Sequence, residues 1–121
     1  MANKVEMYVA ALHEPEQSRI AEICVAARLL VPGAIEGTSY GMPALLYRGK
    51  GLIAVMSMTR HIGIYPFGAI AELSEDVAGH GLEMTTGSIH LGGGQRIPTE
   101  LLERLLLRRV AQIDRDQLRA G

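Results

Sequence analysis

The sequence predicts an α+β fold in which helices lie apart from an antiparallel sheet. Apolar residues recur at helical spacing up to residue 31 and again after residue 98. Short apolar runs bounded by glycine, proline or charged residues fill the region between them. The links between neighbouring runs are so short that they can join only antiparallel strands, which indicates a meander.

Two helices are predicted at the N-terminus. Asn3 can cap the first helix, with Glu6 at the reciprocal position of a capping box, and this helix ends near His13. Pro15 suits the first turn of the second helix, where its missing N–H has no helical partner. The second apolar stripe, which Pro32 and Gly33 end, consists of Ile20, Ile23, Cys24, Ala27, Leu30 and Val31.

The middle of the chain predicts a four-stranded meander. We place its strands at residues 35–40, 44–47, 52–58 and 61–65. Residues 41–43 interrupt the first two strands, residues 48–51 form a hairpin turn, and residues 59–60 make the last link. A short helix over residues 69–77, one or two strands between residues 82 and 91, and a flexible glycine loop at residues 92–94 follow.

A long C-terminal helix is the clearest element of the sequence. Thr99 can cap it, and its acidic first turn suits the positive end of the helix dipole. The apolar stripe contains Leu102, Leu105, Leu106, Val110 and Ile113, and the opposite side contains Arg104, Arg108, Gln112 and Arg115. Arg109 falls inside the apolar stripe, so its guanidinium needs an acceptor, for which Glu36 and Asp116 are the candidates.

Composition limits the kind of protein this is. The chain has 121 residues and a formal net charge of −1, which fits one domain over residues 1–121 without the basic excess of a nucleic-acid-binding domain. No apolar run is long enough to cross a bilayer. Cys24 is the single cysteine, so nothing indicates an oxidising compartment. We expect a cytoplasmic location, with no nucleic-acid and no membrane partner.

Several short strings resemble the YdhG-like family of bacterial domains. The most specific are residues 39–43, SYGMP, and residues 61–66, HIGIYP. They are followed by TGSI at residues 86–89, by Ile97-Pro98, and by Arg109-Val110 in the last helix. The resemblance runs from the first helix to about Ile113. It departs at Thr86, where the family often has a lysine.

The resemblance implies an α+β fold likened to frataxin, and an iron-chaperone role that is ascribed to some members. It suggests no catalytic residue, so an enzyme is the less favoured alternative. A chaperone would hold Fe(II) weakly and pass it to a delivery partner, using oxygen and imidazole donors. The candidate metal residues are Glu6, His13, Glu14 and Glu16 near the first two helices, and Glu72, Glu75 and Asp76 around the short helix.

A small-molecule or anion-binding module is the competing hypothesis. Alternation along residues 61–65 places His61, Gly63 and Tyr65 on one face of the sheet, with Ile62 and Ile64 on the core face. Gly63 would then leave a gap between the two rings. The predicted ligand-binding residues are Tyr40, Met42, His61 and Tyr65, with Gly87, Ser88 and Arg109 as anion contacts.

A structural or partner-binding role, such as that of a homodimer, is the third alternative. Exposure of Met42, Met56 or Met58 would favour it, since methionine adapts to varied partners. Cys24 lies on the apolar stripe of the second helix and is interpreted as an inert core thiol.

Overall fold

Five helices and six strands follow one another in residues 3–120, the part of the chain that the computed structural model describes. The helices are α1 (Lys4–Ala10), α2 (Glu16–Leu30), α3 (Ala69–Glu72), α4 (Ser74–Gly79) and α5 (Thr99–Ala120). The strands are β1 (Ile35–Ser39), β2 (Met42–Tyr47), β3 (Lys50–Ser57), β4 (His61–Tyr65), β5 (Glu83–Met84) and β6 (Ile89–Gly92).

All six strands form one antiparallel sheet in the order β1-β2-β3-β4-β6-β5. The first four make the predicted meander, because each link is too short to cross over the sheet. The β5–β6 pair joins this meander through β6, which pairs with β4. The predicted α+β class is therefore confirmed.

Two turns of the meander are tighter than the sequence analysis predicted. Tyr40 and Gly41, with φ of 50° and 75°, connect β1 to β2. Arg48 and Gly49, with φ of 52° and 80°, connect β2 to β3. Positive φ at both central residues defines the two-residue type I′ hairpin, whose twist matches that of the strands. Residues 42–43 and 50–51 consequently belong to strands.

The first helix does not use its predicted cap, and side chains from outside each N-terminal helix bind the first turns. The Asn3 side chain caps nothing in α1, and the backbone N–H of Glu6 instead donates to the carboxylate of Glu36 in β1, at 2.9 Å. In α2 the Glu14 carboxylate accepts hydrogen bonds from the backbone N–H and the hydroxyl of Ser18, at 2.9 and 2.6 Å. Free N–H groups of a first turn donate to any suitably placed oxygen, including one from a distant strand.

The core lies between the sheet and the pair α2 and α5, which contact β3 and each other. Ile62 and Ile64 are at most 1% exposed, which confirms the predicted inward face of β4. Leu105 and Leu106 of α5 are equally buried. Each such side chain contributes about 1.5–3 kcal/mol relative to an exposed one. Cys24 is also buried, and desolvation raises the pKa of its thiol to about 11.

Three further predictions were wrong in detail. Residues 69–77 form two short helices, α3 and α4, which Leu73 separates. α5 already includes Thr99 as its first residue. Gln112 was assigned to the polar side of α5 but is only 7% exposed. Its amide is tolerated there because both its nitrogen and its oxygen form hydrogen bonds.

Candidate functional site

The outer face of β4 carries His61 and Tyr65, both half-buried. The expected gap between them is filled by the protein itself, because the Tyr65 ring leans over Gly63. A methyl group on Gly63 would lie only 3.1 Å from Cε1 of Tyr65. His61 stacks on His90 of the neighbouring strand, with ring centroids 3.9 Å apart and planes at 18°. This face therefore holds packed rings rather than an open ligand gap.

Ser88 and Gly87 lie in the turn before β6. Their polar groups form hydrogen bonds with neighbouring residues of the protein. The Ser88 hydroxyl is 2.8 Å from Oγ1 of Thr85 and 3.0 Å from Nε2 of His90. The backbone N–H of Gly87 donates to the same Thr85 oxygen at 3.3 Å. Ser88 is only 5% exposed, so its contact with His90 is a structural hydrogen bond and not an accessible nucleophile–base pair.

Tyr40, Phe67 and Arg109 form a second group, which we call the Arg109 cluster. The rings of Tyr40 and Phe67 stack with centroids 6.0 Å apart and planes at 26°. The Arg109 guanidinium carbon lies 5.8 Å from the centroid of Phe67, within the range of a cation–π contact. Two aromatic rings and a cation from three separate parts of the chain thus contact one another through Phe67.

Fixed hydrogen bonds hold the Arg109 side chain in this cluster. Its Nε donates to the backbone oxygen of Gly51 at 2.7 Å, and its Nη1 donates to Oε1 of Gln112 at 3.3 Å. Neither predicted acceptor is used, since Glu36 pairs with Arg28 instead. Asp116 acts on Arg109 only through the longer-range Coulomb interaction. A backbone carbonyl suffices because the half-buried guanidinium keeps contact with water.

Gln112 connects the Arg109 cluster to α3. Its Nε2 donates to the backbone oxygen of Gly68 at 3.0 Å and to a carboxylate oxygen of Glu72. The same carboxylate accepts a hydrogen bond from Nη1 of Arg108 at 2.9 Å. A methyl group on Gly68 would lie 2.7 Å from Oε1 of Gln112 and 3.1 Å from Nη1 of Arg109. The absence of a side chain at Gly68 is what allows this approach.

Both aromatic residues of the Arg109 cluster have a strained backbone. Tyr40 has a φ of 50° and Phe67 a φ of 53°. For residues other than glycine this left-handed conformation costs about 1–2 kcal/mol, and bulky side chains seldom adopt it. Tyr40 is also 89% exposed, so burial does not offset that cost. Strain of this kind concentrates where a side chain is displayed for function.

Arg109 retains the capacity to bind an anion. Its Nη2 forms no hydrogen bond with any residue of the described range 3–120. Desolvation lowers the pKa of Arg109, while Asp116 and Tyr40 act in the opposite direction. The guanidinium nevertheless stays protonated at neutral pH, because arginine is effectively always charged in proteins. A half-buried cation with one unoccupied end offers a directional anion contact.

The predicted ligand residues therefore fall into two groups. Tyr40 and Arg109 come together, and Met42 follows the Tyr40–Gly41 turn at the start of β2. His61 and Tyr65 lie on the β4 face, and Ser88 and Gly87 adjoin that face through His90. Among the described residues no hydrogen bond or ring contact links the two groups.

Sequence reasoning missed Phe67, Gln112 and His90. Phe67 is the single phenylalanine of the chain and stands between Pro66 and Gly68, an aromatic residue at a turn that could have been singled out. His90 reaches His61 only because β6 pairs with β4, a pairing that spans the intervening helices. Gln112 carries no sequence signal that separates it from a solvated glutamine.

The predicted metal residues are spread over the surface, and several already have partners. Glu14 caps α2 through Ser18, and these hydrogen bonds lower the pKa of its carboxyl. Glu72 binds Gln112 and Arg108, which lower its pKa in the same way. Asp76 pairs with Arg104 of α5 at 3.2 Å. Ion pairs and caps thus occupy three of the seven candidates.

The other four candidates are Glu6, His13, Glu16 and Glu75. His13 contributes its backbone oxygen to α2, accepting from the N–H of Gln17 at 3.0 Å. Within the range 3–120, the structure contains no group of three or more histidine, cysteine, aspartate or glutamate side chains that could hold a metal ion. Any Fe(II) bound at these positions would have few protein ligands.

A small cleft lies between α2, the glycine loop at residues 92–94 and the start of α5. None of the predicted ligand-binding or metal residues lines it. Its volume is about 190 Å³, and its lining includes Arg19, Ile23, Arg96 and Leu102. Arg19 fixes the loop by donating to the backbone oxygens of Gly93, at 2.9 Å, and Gln95. Ligand pockets usually measure about 300–1,000 Å³, so this cleft is small for a metabolite.

Exposed apolar side chains bear on the homodimer alternative. Leu29 and Val25 on the outer side of α2 are 77% and 51% exposed, and Met58 is 43% exposed. Met42 and Met56 are half-buried. These side chains are scattered over several elements, as is common on single proteins.

The fold places the chain among α+β proteins with helices on one side of an antiparallel sheet. Within that class its fold is similar to the crystal structure of YdhG, a protein of the DUF1801 family from Bacillus subtilis. The TM-score is 0.80 at 18% sequence identity, over 91% of this chain and 90% of that chain. The likeness thus confirms the fold expected from the sequence strings, and at this identity it shows the fold alone. No protein-family model matches the sequence, and a comparison with curated proteins found no match.

None of the helices in the described residues is long and apolar enough to span a membrane.

Proposed function

We propose that this protein is a non-catalytic binding protein and that the Arg109 cluster is its site for a carboxylate-bearing ligand. One observation carries the proposal: a half-buried arginine, held by the Gly51 backbone and by Gln112, keeps its Nη2 free beside two stacked rings. A guanidinium end is well matched to a carboxylate. The adjoining rings supply an apolar surface for the rest of the ligand.

The rigidity of the cluster supports binding rather than mere packing. Arg109 has lost much of its rotamer freedom to two hydrogen bonds and to the contact with Phe67. A ligand therefore meets a preorganised cation and loses less free energy to ordering on binding. The strained display of Tyr40 points to the same function, since a more favourable turn residue would serve folding alone better.

The shared fold and the strings at residues 39–43 and 61–66 also support placing the chain in the YdhG-like family. The first string contains Tyr40, so the proposed site includes a part of the sequence that carries the resemblance. Iron delivery, which the resemblance implies for some members, stays a prediction and has its own test in the Discussion.

The test is a titration with benzoate, followed by backbone amide and arginine Nε–H chemical shifts. We expect saturable shifts at Arg109 and Gly51, whereas benzamide, which has the same shape and no charge, should leave both unchanged. Arg109→Gln should abolish the effect. Arg108→Gln is the matched control, because the neighbouring arginine is exposed and pairs with Glu72. Equal shifts in wild type and Arg109→Gln, or none in wild type, would overturn the proposal.

A further inference from the structure

Resting on the proposed function, we infer that the physiological ligand of the Arg109 cluster is an acidic polypeptide segment of a partner protein. In this arrangement a glutamate or aspartate side chain of the partner binds Arg109, and an apolar side chain packs on Tyr40. The shape of the site and the charges around it support this ligand.

The shape of the site favours a macromolecular ligand. Tyr40 stands at the tip of the β1–β2 hairpin with 89% of its surface exposed. One side of its ring faces Phe67 and the other is open to a partner. The cleft between α2, the glycine loop and the start of α5 includes neither Tyr40 nor Arg109. A metabolite needs a concave site for affinity, whereas a polypeptide gains contact area on a protruding one.

Tyrosine and arginine are the residue types that dominate binding energy at protein interfaces. They combine a large contact surface with a directional polar group, and they act best when neighbouring contacts exclude water. Here Phe67 contacts both side chains, through the ring stack with Tyr40 and the cation–π contact with Arg109. A partner that covers Tyr40 would also shield the Arg109 guanidinium from solvent, which strengthens its ion pair.

The charges around the Arg109 cluster indicate that its partner is acidic. Two acidic residues near the cluster are already paired, Glu72 with Arg108 and Asp114 with Arg48. The charged residues linked to this network are Lys50, which precedes the Gly51 that binds Arg109, Arg115, which acts on Glu72, and Asp116, which acts on Arg109. This local positive surplus, on a chain with a net charge of −1, complements an acidic segment.

A nucleic acid is the less favoured ligand of a positive aromatic surface. Single-stranded nucleic acids require successive rings with free faces. In this cluster Phe67 is half-buried and already contacts Tyr40 and Arg109, so Tyr40 supplies the one strongly exposed ring. An acidic peptide needs only one apolar contact and one cation, which the cluster supplies.

The experiment measures binding of an acetylated and amidated hexapeptide, Glu-Phe-Glu-Glu-Phe-Glu, to the full chain by calorimetry and amide shifts. Two control peptides replace all glutamates by glutamine or both phenylalanines by alanine. We expect each control, and each of the variants Tyr40→Asn and Arg109→Gln, to bind at least about tenfold more weakly. Tyr40→Asn retains a residue suited to the type I′ turn, and unchanged amide shifts away from the turn would assign a loss of binding to the missing ring.

The outcomes separate this inference from the proposed function. Benzoate shifts at Arg109 without tighter binding of the peptide would refute the acidic-segment inference and leave the carboxylate site standing. Equal binding of the glutamine control would show that the charge of the peptide does not contribute to binding, and would refute the acidic-segment inference, whereas only the benzoate titration decides the carboxylate site. Tighter binding of an oligothymidylate than of the acidic peptide would overturn the inference in favour of a nucleic acid.

Discussion

The guanidinium of Arg109 lies over the ring of Phe67, with its central carbon 5.8 Å from the ring centroid. Arg109 belongs to the middle of α5, and Phe67 follows the last residues of β4. The contact therefore joins the C-terminal helix to the end of the sheet. It also positions the cation beside Tyr40, whose ring stacks on Phe67 from the tip of another hairpin.

Tyr40→Asn is predicted to stabilise the fold by about 0.5 kcal/mol, because asparagine adopts the left-handed conformation at lower cost than tyrosine. The ring contact that is lost is small, since Tyr40 is 89% exposed. Urea denaturation measures the change. Arg48→Asn makes the same exchange in the β2–β3 turn but also removes the ion pair with Asp114, so we expect a smaller gain. A clear loss of stability in Tyr40→Asn would show that its ring is a structural element.

Gly68→Ala is predicted to destabilise the fold by about 1–3 kcal/mol through overpacking. The new methyl group would lie 2.7 Å from Oε1 of Gln112 and 3.1 Å from Nη1 of Arg109, so the hydrogen-bond network must shift. Thermal and urea unfolding measure the cost.

Gly79→Ala is the matched control for the Gly68 substitution. Gly79 is the last residue of α4, and a methyl group there meets nothing within 4 Å. Alanine in a helix is favoured over glycine by roughly 0.5–1 kcal/mol, so the control should change stability in the opposite direction. Equal effects at the two positions would mean that the crowding around Gly68 does not determine its cost.

The lowered pKa of Glu72 predicts that the stability of the fold decreases at acid pH. Hydrogen bonds from Gln112 and Arg108 lower its pKa below the ordinary value of 4.5. A group whose folded pKa is lowered binds protons more readily in the unfolded chain, so its stabilising effect is present above pH 4.5 and is lost as the pH falls through the folded pKa. Glu72→Gln should therefore reduce the decline of the melting temperature between about pH 5 and pH 3.

Glu75→Gln provides the control for this titration. Glu75 lies in the first turn of α4, close to Glu72 in the chain, and forms no ion pair within the described residues. Its substitution removes one carboxylate without removing an ion pair, so the slope of melting temperature against pH in Glu75→Gln is the baseline for Glu72→Gln. If Glu72→Gln and wild type show the same slope, the contacts of Glu72 with Gln112 and Arg108 do not contribute to folding stability.

The iron hypothesis predicts saturable and iron-selective amide shifts or broadening in an anaerobic Fe(II) titration, with Mg(II) and Zn(II) as controls. The affected residues should cluster between Glu6 and Glu16 or between Glu72 and Asp76. Affinity should be weak, because the described residues contain no group of three metal-binding side chains. Broadening that is equal for all three metals, or that is scattered over the surface, would exclude an iron-specific role for the protein alone.

Much of the architecture could be predicted because it rests on local patterns. Apolar repeats in α2 and α5 and alternation in β4 indicate which side of each element faces the core. The short links predict the antiparallel meander. The candidate site could be predicted only in part. Tyr40 and Arg109 were singled out, whereas the predicted pocket between His61 and Tyr65 is closed by the Tyr65 ring.

The sequence by itself determined the fold class, the order of the elements and the buried faces, since these follow from periodicity and from turn residues. Only the tertiary structure decided which distant groups meet. It placed the Glu36 carboxylate at the start of α1, His90 against His61, and the Gly51 oxygen against Arg109. The physical reason is that polar groups accept any partner of suitable geometry. Their pairing therefore depends on strand register and helix packing, which no local pattern encodes.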